Sequence, residues 1–97
     1  MTVPVSRIGD VCTGHGSFPP RPLVEGTDDF IVANSPASKV GDNLAPHGSP
    51  SPSPPHGGTV ASGSSTYYIA NQQIARIGDP VSCGSAMAQG EGTFVVG

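Results

Sequence analysis

Arg7-Ile8-Gly9-Asp10, Lys39-Val40-Gly41-Asp42 and Arg76-Ile77-Gly78-Asp79 are three copies of one pattern: a basic residue, a β-branched aliphatic, Gly, Asp. The chain has 4 Lys and Arg in 97 residues, so all of its cations except Arg21 sit in this pattern. Gly-Asp is a turn signal, because Gly tolerates left-handed backbone and an Asp carboxylate accepts nearby backbone N–H groups. The three copies therefore read as structural turns, whose basic side chains can pair across strands.

The repeat extends upstream. Phe30-Ile31-Val32-Ala33-Asn34 aligns with Tyr67-Tyr68-Ile69-Ala70-Asn71, in the same register that carries Lys39 onto Arg76. Thr93-Phe94-Val95-Val96-Gly97 supplies a third aromatic piece, and Arg7 to Asp10 a Gly-Asp piece without an aromatic partner. One missing half at each end implies three units, the third closed by pairing of the two ends. The expectation is a small all-β body, a cone of short strands with pseudo-threefold repeats.

Phe30 to Ala33, Tyr67 to Ala70 and Phe94 to Val96 are short aromatic and β-branched runs bounded by turn residues, the pattern of strands. Val5 to Ile8, Lys39-Val40 and Ala75 to Ile77 are further strand candidates that stop at Gly-Asp. No window sustains a 3.6-residue apolar period, which predicts little or no helix. Pro46 to Gly58 is Pro-rich and low in complexity, expected as loop or polyproline II, and 87–92 reads as loop.

A chain of 97 residues is one domain, 1–97, and marginal without a disulfide, a metal or a partner. With 14 Gly, 11 Pro, no Trp, two Tyr and three Phe, it has few large side chains to offset the entropy of ordering. The charge balance, 4 Lys and Arg against 7 Asp and Glu, offers no basic patch for nucleic acid. No apolar run approaches the roughly 20 residues that span a bilayer. No basic segment followed by an apolar stretch opens the chain, so the expectation is synthesis in the cytoplasm without a signal peptide.

All three histidines precede glycine, at His15-Gly16, His47-Gly48 and His56-Gly57, and so does Cys83-Gly84. His15 follows Asp10 at the distance at which His47 follows Asp42, and Cys83 follows Asp79 one residue sooner. Each Gly-Asp turn is thus followed by one soft-metal ligand, and converging units would bring three together. His56 then offers a fourth. Three His and one Cys suit tetrahedral zinc; iron takes the same ligands. Four protein ligands make a structural site, which can contribute on the order of 10 kcal/mol to folding. Cys12 has three readings: an alternative ligand, a disulfide partner of Cys83, or a small buried hydrophobe. The last is the commonest fate of a free cysteine.

The repeated basic-aliphatic-Gly-Asp followed by His-Gly, and by Cys-Gly in the last unit, resembles the PAAR-repeat proteins over Val5 to Gly97. The Pro-Ala-Ala-Arg tetrapeptide itself is missing; Pro4-Val5-Ser6-Arg7 and Ile74-Ala75-Arg76 keep parts of it. The resemblance implies a metal-stapled β-rich cone, with His15, His47, His56 and Cys83 as ligands, seated on a trimeric β-helical spike. Such tips belong to type VI secretion systems and contractile phage tails, and this chain looks like a stand-alone tip of the T4 type. It implies one copy per spike trimer, a transient contact with the target envelope, and neither nucleic acid nor small-molecule substrate as partner.

Two other classes compete. A metalloenzyme would need an open metal position, and only Glu25 and Glu91 could serve as a glutamate base. A serine hydrolase would need a Gly-x-Ser-x-Gly elbow, which the sequence lacks. The expectation is therefore no enzyme. A small zinc-binding adaptor or effector carrier within a secretion complex is the alternative binding role.

Overall fold

The computed structural model describes residues 2–16, 18–47 and 56–97, with the backbone alone at His47 and His56. Among these residues there is no helix. The strands are β1 (Val3–Val5), β2 (Thr27–Val32), β3 (Ser35–Ala37), β4 (Asn43–His47), β5 (His56–Thr59), β6 (Tyr68–Ile69), β7 (Gln72–Gln73) and β8 (Glu91–Val96). They form antiparallel two-stranded ladders, β1 with β8, β2 with β3, β4 with β5 and β6 with β7. The molecule measures 39 × 26 × 21 Å.

The three Gly-Asp turns are built alike. Gly9, Gly41 and Gly78 have φ of 96°, 95° and 91°. The Asp N–H donates to the carbonyl of the basic residue at 3.0 Å in Arg7–Asp10 and Lys39–Asp42, and at 3.1 Å in Arg76–Asp79. A left-handed third residue with this bond is what a type II turn requires. Each Asp carboxylate accepts the backbone N–H of the basic residue, at 2.8, 2.9 and 2.7 Å. The basic side chain then closes on the Asp of its own turn, Lys39 Nζ at 2.9 Å and Arg76 Nη2 at 3.0 Å. The turn thus places each cation beside its own carboxylate, and among the described residues the pairing across strands that the sequence allowed is made by Arg7 alone, to Glu91 at 3.5 Å.

The residues just before the turns form a closed ring of backbone bonds. Ser6 N–H donates to Ala75 C=O at 2.9 Å, Ala75 N–H to Ser38 C=O at 2.9 Å, and Ser38 N–H to Ser6 C=O at 3.0 Å. All three residues are fully buried. Each segment arrives from one hydrophobic cluster and leaves into the other. Val5, Ala37 and Ile74 belong to a cluster with Val32, Ile69 and Val96. Cys12, Leu44 and Val81 belong to one with Leu23, Val60, Ala75 and Met87. Two thin cores thus share one buried waist, where the backbone groups of Ser6, Ser38 and Ala75 satisfy one another.

Two hairpins turn on Ala-Asn. Ala33 and Asn34 have φ of 47° and 71°, Ala70 and Asn71 of 47° and 65°, between the paired residues Val32–Ser35 and Ile69–Gln72. Positive φ at both central residues is the type I′ geometry that matches strand twist. The expected strands therefore end before Ala33 and Ala70. The two ends of the chain pair, as the open halves of the repeat implied, with Val3 opposite Val96 and Pro4 opposite Val95.

Other expectations need correction. Of Val5 to Ile8, Lys39-Val40 and Ala75 to Ile77, only Val5 lies in a strand. Of the rest, Arg7, Lys39 and Arg76 make single bridges, to Ala37, Ile74 and Val5, because the turn reverses the chain at once. The Pro-rich stretch starts and ends as strand, in β4 and β5, and its residues 48–55 lie outside the described residues. Of 87–92, Met87 bridges Cys12, and Glu91 and Gly92 open β8. These segments carry no periodic apolar signal; their partners elsewhere in the chain make them strands.

Candidate functional site

Beyond the core of Cys12, Leu23, Leu44, Val60 and Val81, the segments after the three turns come together. β4 and β5 pair with Asn43 opposite Thr59, Leu44 opposite Gly58 and His47 opposite His56. Backbone register alone thus makes two of the four candidate ligands direct cross-strand partners. Their side chains lie outside the described residues.

Cys83 lies against this ladder. A Cβ added to Gly58 would stand 3.1 Å from Cys83 Sγ and 2.8 Å from Val81 Cγ1, so glycine is what lets the cysteine approach β5. Cys83 occupies a tight turn in which Val81 N–H donates to Ser85 C=O at 2.8 Å and Gly84 N–H to Val81 C=O at 3.0 Å. It is partly buried and a free thiol. His15 abuts the same turn: a Cβ on Gly84 would lie 4.0 Å from its Cγ. The four positions read from the sequence therefore share one region of the fold. Among the described residues no group of three or more His, Cys, Asp or Glu is close enough to hold a metal, a set that leaves out the side chains of His47 and His56.

Cys12 stands apart. It pairs with Met87 as Leu44 pairs with Leu23 and Val81 with Val60, and it is 2 % exposed. It fills the core position that its counterparts fill with Leu and Val. Burial pushes its thiol up, but bonds from the Ser85 hydroxyl and from backbone groups of Arg21, Gly14 and Cys12 outweigh burial and hold it below the ordinary range.

Two residues that sequence reasoning passed over stand beside the ligands. Phe18 stacks on the His15 ring, with centroids 5.0 Å apart and planes at 30°. Arg21 Nε donates to the carbonyl of Pro46, the residue before His47, at 3.2 Å. The signals were there: an aromatic one short turn after a His-Gly, and the one cation outside the repeat. The two glutamates are engaged elsewhere, Glu25 accepting from Asn43 N–H at 2.8 Å and Glu91 pairing with Arg7.

At the other core, Phe30, Tyr67 and Phe94 form a closed triangle. Centroids are 6.0 Å apart for Phe30–Tyr67, 5.7 Å for Phe30–Phe94 and 5.4 Å for Tyr67–Phe94, all edge-on. Edge-to-face contact is the favoured geometry for such rings. β2 and β8 both bulge at this point, between Thr27 and Ile31 and opposite the Pro4–Val5 step, which throws each ring inward. The next residue of each strand faces out: Ile31 is 54 % exposed, Tyr68 56 % and Val95 45 %. The residue after that, Val32, Ile69 or Val96, returns to the core. Each of the three aromatic runs thus splits into ring, outward apolar residue and core residue.

Residues 51–97 match the family model described as PAAR motif. That stretch holds His56, the Arg76–Asp79 turn, Cys83 and two of the three rings. No curated protein matches the chain.

Proposed function

We propose, from the PAAR motif matched over residues 51–97, that the chain is a PAAR-repeat protein and a structural tip, capping the trimeric β-helical spike of a contractile injection machine. The observation that carries this reading is the triangle of Phe30, Tyr67 and Phe94 with Ile31, Tyr68 and Val95 exposed beside it. A β-helix ends in open strand edges and apolar side chains, a surface that aggregates unless covered. A single chain matches a threefold surface only through internal pseudo-threefold symmetry. The three similar turns, the three-membered backbone ring and the ring triangle support that symmetry. Exposed Ile, Tyr and Val at matching positions supply apolar contact that a monomer rarely leaves open.

At the opposite end we propose a structural zinc held by His15, His47, His56 and Cys83; iron would take the same donors. The fit rests on the register of His47 with His56, on Cys83 lying against Gly58, and on His15 lying against Gly84. Direct partners in an antiparallel ladder are the closest pair a sheet offers. A full set of four ligands leaves no site for a reacting water, so the role is stapling and not catalysis. The stapled end would be the part that meets the target envelope, on a phage tail or on a secretion spike assembled in the cytoplasm.

Stoichiometry tests the reading. Mixed with a trimeric β-helical spike protein and analysed by native mass spectrometry, the chain should bind as one copy per trimer. The adaptor or effector-carrier alternative predicts no such ratio, and three copies per trimer would rule out the cap.

A further inference from the structure

The segment Phe18-Pro19-Pro20-Arg21 touches both limbs of the proposed metal centre. At one end, His15 and Phe18 exchange backbone bonds, His15 N–H to Phe18 C=O at 3.0 Å and Phe18 N–H to His15 C=O at 2.8 Å, while the rings stack. Gly14 makes room for this: a Cβ there would lie 2.6 Å from the Phe18 carbonyl oxygen. At the other end, Arg21 Nε donates to Pro46 C=O at 3.2 Å and Nη1 to Pro20 C=O at 3.1 Å. One guanidinium therefore bridges this segment to the residue preceding His47. The Arg21 backbone is itself anchored, its carbonyl accepting Cys12 N–H at 3.0 Å and its N–H donating to Cys12 Sγ at 3.4 Å. Two consecutive prolines fix φ between the two contacts, so their separation is rigid.

A guanidinium beside a cation site has no electrostatic reason to be there. Among the described residues Arg21 forms no ion pair. Its bonds are to carbonyls, and they tie backbone to backbone. Likewise a phenyl ring offers a metal nothing, but it restricts the imidazole it stacks on.

We propose that Phe18 and Arg21 are positioning residues of the metal centre, holding His15 and the end of β4 in their liganding places before the metal arrives. This rests on the reading of His15, His47, His56 and Cys83 as ligands. Pre-ordering the ligands removes an entropy cost from binding, and loss of an outer-shell partner typically weakens metal affinity about 10- to 100-fold.

The test uses the full chain stripped of metal and titrated with cobalt and zinc, read by cobalt absorption and by competition with a chromophoric chelator. Phe18→Leu and Arg21→Met should each weaken binding about 10- to 100-fold, and Phe18→Tyr should restore it. Equal affinities for wild type and both variants would overturn the proposal while leaving the centre standing. A wild type that binds neither ion would defeat the centre, and the proposal with it. A second measurement is independent of how the variants fold: in the metal-free wild type, the His15 ring protons should be shifted by the Phe18 ring current. Shifts equal to those of a solvent-exposed histidine would overturn pre-ordering.

Discussion

Phe94 meets Phe30 edge-on, with ring centroids 5.7 Å apart and planes at 75°, although the two residues are 94 − 30 = 64 positions apart in the chain. Tyr67, just before β6, closes the triangle, so β2, β8 and the entry to β6 are clamped at one point. Phe94→Ala removes two edge-to-face contacts and a half-buried ring. It should cost about 3 kcal/mol, seen as a lower urea midpoint, while Phe94→Tyr should cost under about 1 kcal/mol.

The Ala-Asn hairpins offer a stabilising change. Ala33 and Asn34 both hold left-handed backbone, which costs an ordinary residue about 1–2 kcal/mol and glycine almost nothing. Replacing the pair with Asn-Gly, the preferred type I′ dipeptide, should raise stability by about 1 kcal/mol in denaturant unfolding. A loss of stability would mean that the Ala33 methyl makes a contact that outweighs the strain.

Asp79 is 4 % exposed and accepts both the Arg76 N–H, at 2.7 Å, and the Arg76 guanidinium, at 3.0 Å. Asp79→Ala strands these donors and should destabilise by about 2–3 kcal/mol. Asp79→Asn, which keeps one acceptor, should lose about half as much. Equal loss in both variants would assign the effect to charge alone.

On the proposed zinc centre, metal content should separate the two cysteines. Cys83→Ser should sharply reduce zinc bound per chain by elemental analysis, and Cys12→Val should leave it unchanged, since Cys12 occupies a core position equivalent to Leu44 and Val81. A strong chelator should lower the melting temperature of the wild type and of Cys12→Val alike. Loss of metal from Cys12→Val would make Cys12 the ligand.

What the sequence alone determined was local. The Gly-Asp turns close within four residues, so Arg7 to Asp10 and its two counterparts were readable as turns without any knowledge of their neighbours. The spacing of the aromatic runs located β2, β6 and β8, and the near-equal distance from turn to His15, His47 and Cys83 marked positions that lie in one region of the fold. Tertiary structure decided what depends on distant partners. β4 and β5 are strands because Asn43 meets Thr59 across the Pro-rich stretch, and polar or proline-bearing segments such as β3 and β7 announce nothing on their own. The division of Phe30, Ile31 and Val32 into ring, outward residue and core residue follows from a bulge set by pairing with β3. Cys12 was ambiguous as a residue type, and its bridge to Met87 made it core. Phe18 and Arg21 gained their roles from atoms far along the backbone or across a turn, contacts that a linear pattern does not encode.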